Sequence, residues 1–149
     1  MSRAPFQVLV LPFRHKRDGQ LEYAVFRRRE EGYWQFIAGG GENNEKPIET
    51  ARREAFEEAG ITPDSEYLTL DSCNTVPVEG VTGEFTWGKG VYVIPEYTFG
   101  VRHDSEAISL SREHTEYRWV SYKDVVAMLQ WDSNKNALWE LNARITGKA

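Results

Sequence analysis

Residues 39–61, GGGENNEKPIETARREAFEEAGI, decide how the rest of the chain is read. The stretch opens on Gly39, Gly40 and Gly41 and closes on Gly60 and Ile61. Between them Glu54, Glu57 and Glu58 stand at i, i+3 and i+4, neighbouring positions on one helical face. Like charges so placed cost roughly a few tenths of a kcal/mol per pair in an isolated helix. A run shaped by stability alone would mix lysines among them. Clustered carboxylates of this kind suit a hard cation. The helix is predicted over 47–59. Pro47 suits its first turn and Gly60 its C′ position. Ile48, Ala51, Ala55 and Ala59 form one narrow apolar stripe, small enough to bring the helix close to a sheet. Arg53 precedes Glu57 by four residues and can hold it through an i, i+4 pair.

Upstream, residues 7–13 (QVLVLPF) read as a strand buried on both faces. Residues 14–20 form a polar turn with Asp18-Gly19 at its tip. Residues 21–29 return as a second strand ending in Arg27, Arg28 and Arg29, which must alternate between faces. Those arginines are either a solvated strand end or phosphate ligands, since a guanidinium matches phosphate oxygens. Residues 33–37 form a short aromatic strand, in which Tyr33, Trp34 and Phe36 either pack in the core or stack on a flat ring.

Downstream, residues 66–78 read as one or two strands. Residues 79–90, with Gly80, Gly83, Gly88 and Gly90, read as a hairpin or mobile loop that exposes Trp87. Residues 91–99 form a strand whose Pro95 implies an edge or a bulge. Residues 107–110 and 116–120 are short strand-like pieces. Ser121 opens a helix to about residue 130. A last helix covers about 133–144, capped by Asp132 or Ser133. The fold class is α/β (α+β), a mixed sheet with helices on both faces.

The chain has 149 residues, enough for one domain, 1–149, around one sizeable core. A net charge of −5 argues against a general nucleic-acid binder, which needs a basic footprint. The lone Cys73 excludes an internal disulfide framework, fits a reducing compartment and reads as a small buried hydrophobe. The apolar run at 6–13 is too short to span a membrane, and no targeting segment is visible. The expectation is a cytoplasmic protein with no membrane and no nucleic-acid partner, a monomer or homodimer.

Gly39, five residues, Glu45, seven residues, then Arg53-Glu54-Ala55-Phe56-Glu57-Glu58-Ala59-Gly60-Ile61 resembles the box of the Nudix hydrolases at every fixed position. The resemblance implies an α/β/α sandwich that binds Mg²⁺ or Mn²⁺ on the box helix. It implies hydrolysis of a nucleoside diphosphate linked to another moiety. By position it makes Glu57 and Glu58 metal ligands and Glu54 a further ligand or the base. Arg53 would orient the glutamates, Glu45 support the loop, and the carbonyl of Ala38 bind metal. Members often carry Pro-Gly before the box glycine where this chain has Ile37-Ala38, so an altered loop geometry is expected. The residues agree with this chemistry: phosphoanhydride hydrolysis needs charge neutralisation and an activated water. A further carboxylate could act as base, and Glu113 is the candidate, as base or ligand.

Within the family the chain resembles the dATP pyrophosphohydrolases that act on dihydroneopterin triphosphate. The matching features are Arg27-Arg28 with Tyr33-Trp34-Gln35, Glu113-His114 with Tyr117-Arg118-Trp119, and Trp131 with Ser133-Asn134 and Asn136-Ala137. The expected substrate is a small nucleoside-triphosphate-like molecule, cleaved to monophosphate and pyrophosphate. Arg27 or Arg28 would lie on its phosphates and Trp34 beside its ring. Pro77, past the box, marks ADP-ribose hydrolysis as an alternative, with dinucleoside polyphosphates another. A nucleotide-sensing domain without activity is the reading outside enzymes.

Overall fold

The computed structural model describes residues 2–81, 85, 87–105 and 107–147. Part of the expected 79–90 loop, including Gly83, therefore lies outside the described residues. Strand β1 (Arg3–His15) runs through the middle of a seven-stranded mixed sheet with β2 (Leu21–Arg28), β3 (Trp34–Gln35), β4 (Ile37–Glu42), β5 (Tyr67–Pro77), β6 (Val93–Arg102) and β7 (His114–Val120). Helices α1 (Pro47–Ala59), α2 (Tyr122–Met128) and α3 (Asp132–Thr146) complete it. On one side β1 pairs in parallel with β6, from Gln7 opposite Glu96 to Phe13 opposite Arg102. Its other side is shared. β4 takes the first part, with Gln7 opposite Gly40, and β2 takes only Phe13–His15 beyond it. β1 and β2 thus diverge, and β3 and β4 fill the opening between them. The cleft described below sits there.

Alternation along β1 divides the core. Val8 and Val10 pack with Ala24, Phe26, Ile37 and the α1 alanines Ala51, Ala55 and Ala59 on one face. Leu9, Leu11 and Phe13 pack with Phe36, Val125, Leu138 and Leu141 on the other, under α2 and α3. Both faces of β1 are buried, which explains its unbroken apolar run. The three alanines are fully buried, so their small size is what lets α1 lie flat on the sheet. Gly100 serves α3 in the same way: a Cβ there would come 2.6 Å from Leu141 Cδ1.

α1 has the bounds its sequence predicts. Glu49 reaches back to accept from the Lys46 N–H at 2.8 Å, one half of a capping box. Gly60 takes φ +71°, and its N–H donates to the Phe56 carbonyl. Other expectations need correction. The aromatic strand is only two residues long, and the glycine cluster is itself strand β4 rather than a loop. Residues 66–78 hold a single strand, and residues 107–110 form none. β6 is an interior strand. Its Pro95 precedes the first residue paired with β1, so it has one neighbour there and a proline is tolerated. Cys73 is exposed, because it alternates outward on β5 at the end of the sheet order. Trp87 is half-buried, and its indole N–H donates to the Arg3 carbonyl. The N-cap position of α3 is Trp131, with Asp132 already in the first turn. Among the described residues, no helix is long and apolar enough to cross a membrane.

Candidate active site

α1 and β4 face each other, and the glycines of β4 set their separation. A Cβ on Gly39 would lie 2.2 Å from the Glu54 carboxyl carbon, and one on Gly40 would lie 2.0 Å from the guanidinium carbon of Arg3. Only hydrogen atoms leave room for those two side chains. Glu54 is thereby wedged against the strand.

Arg53 organises the charges around it. Its Nε and Nη2 donate to the two oxygens of Glu45 at 2.8 and 3.0 Å, a bidentate fork. Nη2 also donates to the Gly40 carbonyl at 2.9 Å, tying helix to strand. Nη1 reaches Glu54 at 2.9 Å and Glu57 at 3.2 Å. Glu45 in turn accepts from the Glu42 N–H and the Thr50 hydroxyl, both at 2.9 Å. The Arg53 bond, aided by those donors, holds the Glu45 carboxyl below the usual range.

The three helix glutamates differ sharply in environment. Glu57 is exposed, Glu54 is half-buried and Glu58 is 3% exposed. Burial pushes Glu54 up to about 7 against the pull of Arg53. Burial, a hydrogen bond shared with Glu113, and the charges of Glu54 and Glu113 push Glu58 up to about 10. Its Oε2 is sealed from solvent and has no hydrogen-bond partner among the described residues. Glu113, just before β7, moves the other way. The bond from Glu58 is the main cause, and Arg28 and His114 add to it. A carboxylic acid donating to a carboxylate is the arrangement in which two close carboxyls share one proton.

Glu54 and Glu113 line a cleft of about 290 Å³ with Arg28, Ala38, Gly39, Arg3, Gln7 and Gly40, while Arg53, Glu57 and Glu58 are not among its lining residues. Arg28 Nη1 donates to Glu113 at 3.4 Å and its Nε to Glu31 at 3.2 Å. Arg27 points to the other face, bound to the Gly32 carbonyl and Glu116. The strand alternation therefore assigns Arg28, not Arg27, to the cleft. Trp34 is not among the cleft residues. It packs on the α2–α3 core with the Arg118 guanidinium 5.2 Å from its ring, while its neighbours Tyr33 and Gln35 do line the cleft. His114 is 1% exposed against Phe26, with neither ring nitrogen hydrogen-bonded among the described residues, and burial lowers it to about 4. Arg3, Gln7 and Gln35 are cleft residues that the sequence reading missed. The paired glycines at 39 and 40 were the available signal, since each makes room for one side chain. A larger, shallower depression of about 760 Å³ lies between β5 and α3. Of its two carboxylates, Glu140 is fully engaged by its neighbours and Asp71 is paired with Arg144, so it offers no comparable chemistry.

The donor set suits a divalent cation. Hard carboxylate oxygens stand on one helix: Glu54 lies against Gly39, and the Glu58 Oε2 is buried without a partner among the described residues. Among the described residues, no three His, Cys, Asp or Glu side chains are grouped so as to hold a metal ion.

A sequence profile of the NUDIX domain matches residues 6–140. A protein of Listeria monocytogenes classed as a NUDIX hydrolase superposes with a TM-score of 0.86 at 42% identity, over 97% of this chain and 96% of that one. Dihydroneopterin triphosphate diphosphatase of Haemophilus influenzae is 26% identical over 135 residues, covering 87% of this chain and 83% of its own. The asymmetrical bis(5'-nucleosyl)-tetraphosphatase of Sus scrofa is 33% identical over 111 residues, covering 72% of this chain and 69% of its own. With its mixed sheet between helices and its glutamate-bearing helix, the chain belongs to the NUDIX family and is a pyrophosphohydrolase.

Proposed function

We propose that this chain hydrolyses a nucleoside-triphosphate-like substrate, dihydroneopterin triphosphate or dATP, to a monophosphate and pyrophosphate with Mg²⁺ or Mn²⁺. One observation carries the reading: the buried Glu58 carboxyl with an unpartnered oxygen, set between Glu54 and Glu113. A purely structural role would leave that group costly and unexplained. Glu54, Glu57, Glu58 and the Ala38 carbonyl would hold the ion. When bound, a divalent cation neutralises phosphate charge and acidifies water.

The chain's own residues do the rest. Arg53 fixes Glu54 and Glu57 from one side, and Glu45 fixes Arg53. Arg28 can exchange its half-exposed bridge to Glu113 for phosphate oxygens, a better match for its fork of donors. Glu113 stays ionised beside Arg28 and is the better-placed acceptor for the proton of the attacking water. Glu54, pushed up to about 7, is the other carboxyl suited to that task. The acidic charge and lone cysteine fit a small-molecule enzyme of the cytoplasm, acting as one unit over residues 1–149.

The name of the Haemophilus relative supports the pterin substrate. The 33% identity to the Sus scrofa enzyme supports a second reading, cleavage of a dinucleoside tetraphosphate at the same site. A panel of dihydroneopterin triphosphate, dATP, diadenosine tetraphosphate and ADP-ribose, with products identified by ³¹P NMR, decides between them. The expected result is fastest turnover of dihydroneopterin triphosphate, with pyrophosphate released. Preference for diadenosine tetraphosphate would move the assignment to the second reading. Failure to cleave any of them with either cation would remove the roles given to the glutamates.

A further inference from the structure

At Gln7 the sheet beside the cleft carries a polar row that the hydrolytic step does not use. Gly40, Gln7, Glu96 and Asn74 stand directly opposite one another on β4, β1, β6 and β5. Residues so paired share one face. Two residues further along, the same face is apolar, with Leu9 in the α2–α3 core. Gly40 contributes no side chain, and Gln7 lines the cleft.

The hydrogen bonds run in one direction along this row. Arg3 Nη2 donates to Gln7 Oε1 at 3.3 Å, and Gln7 Nε2 donates to Glu96 Oε2 at 2.8 Å. Arginine only donates and a carboxylate only accepts, so the Gln7 amide is oriented from both ends. Glu96 is 5% exposed, and that single amide is its only partner among the described residues. Burial raises its carboxyl, partly offset by the Gln7 bond. A carboxyl so buried, with one amide as its donor, keeps acceptor capacity for the N–H groups of a ligand.

We infer that Gln7 and Glu96 read the ring of the substrate, with Glu96 accepting two adjacent N–H donors of a 2-amino-4-oxopyrimidine edge, the edge shared by guanine and pterin. The inference rests on the proposed cleavage of a triphosphate in this cleft: phosphates at Arg28, Glu54 and Glu113 leave the ring to project toward Gln7. Adenine presents one donor beside one acceptor on its Watson–Crick edge, a pattern a carboxylate pairs with poorly. Glu96→Gln replaces an acceptor-only group by a mixed one at nearly constant shape, and removes a charge that burial disfavours.

The test compares Glu96→Gln with the wild type, with Mg²⁺ present, on dihydroneopterin triphosphate, dGTP and dATP. The expected result is a fall of about tenfold or more in kcat/KM for the first two relative to dATP. It should appear more in KM than in kcat. In parallel, neopterin binding is followed by its fluorescence, which needs no turnover, and Gln7→Leu serves as a second variant. Weaker neopterin binding in both variants supports the assignment even if no triphosphate is cleaved, a result that would count against the proposed reaction alone. An unchanged substrate ratio together with unchanged neopterin binding would overturn it. So would loss of all three substrates in equal measure by folded variants.

Discussion

Two glutamates on two helices, Glu58 on α1 and Glu140 on α3, face the same sheet from opposite sides and meet opposite treatment. Glu140 lies at the irregular stretch of β5 where the register to β6 shifts between Thr69 and Cys73. It accepts from the Asp71 and Ser72 N–H groups at 2.7 Å each, from the Ser72 hydroxyl at 2.6 Å and from Arg144 at 2.7 Å. Burial pushes its carboxyl up, but these donors outweigh burial and hold it at about 2. Glu58 is more deeply buried, has an oxygen with no donor, and is pushed up to about 10. The first is a carboxylate that the fold uses to finish its own hydrogen bonding. The second is held ready for something the fold does not supply. A sequence shows both only as glutamates on amphipathic helices.

The most severe way to break this comparison is Glu58→Gln. Activity should fall by at least about a hundredfold, the upper range for disturbing a metal site. The melting temperature of the metal-free protein should hold or rise, because the variant removes a buried group whose charge is disfavoured. The pH sign follows from the raised folded value. The contribution of Glu58 to stability is present below the unfolded value of about 4.5 and is lost as pH rises toward about 10. Glu58→Gln should therefore flatten the alkaline limb of a melting profile recorded in EDTA. A large loss of stability with activity intact would reverse the roles given to the two glutamates.

Gly39 and Gly100 repeat the contrast at the level of backbone approach. Gly39→Ala puts a methyl into the Glu54 carboxyl, and displacing that carboxyl should cost activity, by about a hundredfold for a shift near 1 Å. Gly100→Ala meets Leu141 instead, where overpacking should cost about 1–3 kcal/mol of stability. Turnover per folded molecule should then be unaffected. Denaturant unfolding and kcat measured on both variants separate the two effects. Glu140→Gln belongs with Gly100→Ala. It should cost about 1–3 kcal/mol, because it weakens the charged acceptor for two backbone donors, and should leave kcat unaltered. Its folded value is depressed, so the stability it contributes is present above about 4.5 and lost as pH falls through about 2. The variant should remove that acid limb while leaving the alkaline one.

The sequence exposed local features well and three-dimensional phase badly. α1 was legible to the residue because Pro47 and Gly60 are local signals that act without tertiary context. The Asp18-Gly19 hairpin was legible for the same reason, with Gly19 at φ +84°. Alternation of Arg27 and Arg28 was legible too. Which of them enters the cleft depends on whether the α1 face or its opposite holds the site. Glu57 and Glu58 show the same limit, since one step of about 100° around the helix separates an exposed carboxylate from a buried one. The divergence of β1 and β2 that makes the cleft was not legible, because it follows from β4 competing for the same edge of β1. Arg3 and Gln7 reach the cleft through that sheet pairing, from a segment far from the glycine-rich box, and Gln7 brings Glu96 beside them.

His114 gives the smallest expected effect and the sharpest limit on reading function from burial. It neighbours Glu113, is as buried as Glu58, and has two unpartnered nitrogens to the glutamate's one oxygen. The difference is that Glu58 shares a proton with Glu113, whereas the imidazole shares none. Burial and the Arg28 guanidinium lower its ring to about 4, so at neutral pH it is an uncharged ring packed on Phe26 with centroids 5.4 Å apart. A neutral imidazole without partners is a packing group whose polar atoms cost stability. His114→Phe should therefore hold or raise the melting temperature at neutral pH and change kcat by only a few-fold. The depressed folded value makes its contribution present above about 6.5 and lost as pH falls through about 4, so the variant should also resist acid better over that window. Melting curves between those limits, set beside kcat, check it. A collapse of kcat with folding intact would mean that the ring holds Glu113 in place, and would join His114 to Glu58 as a group that the site requires.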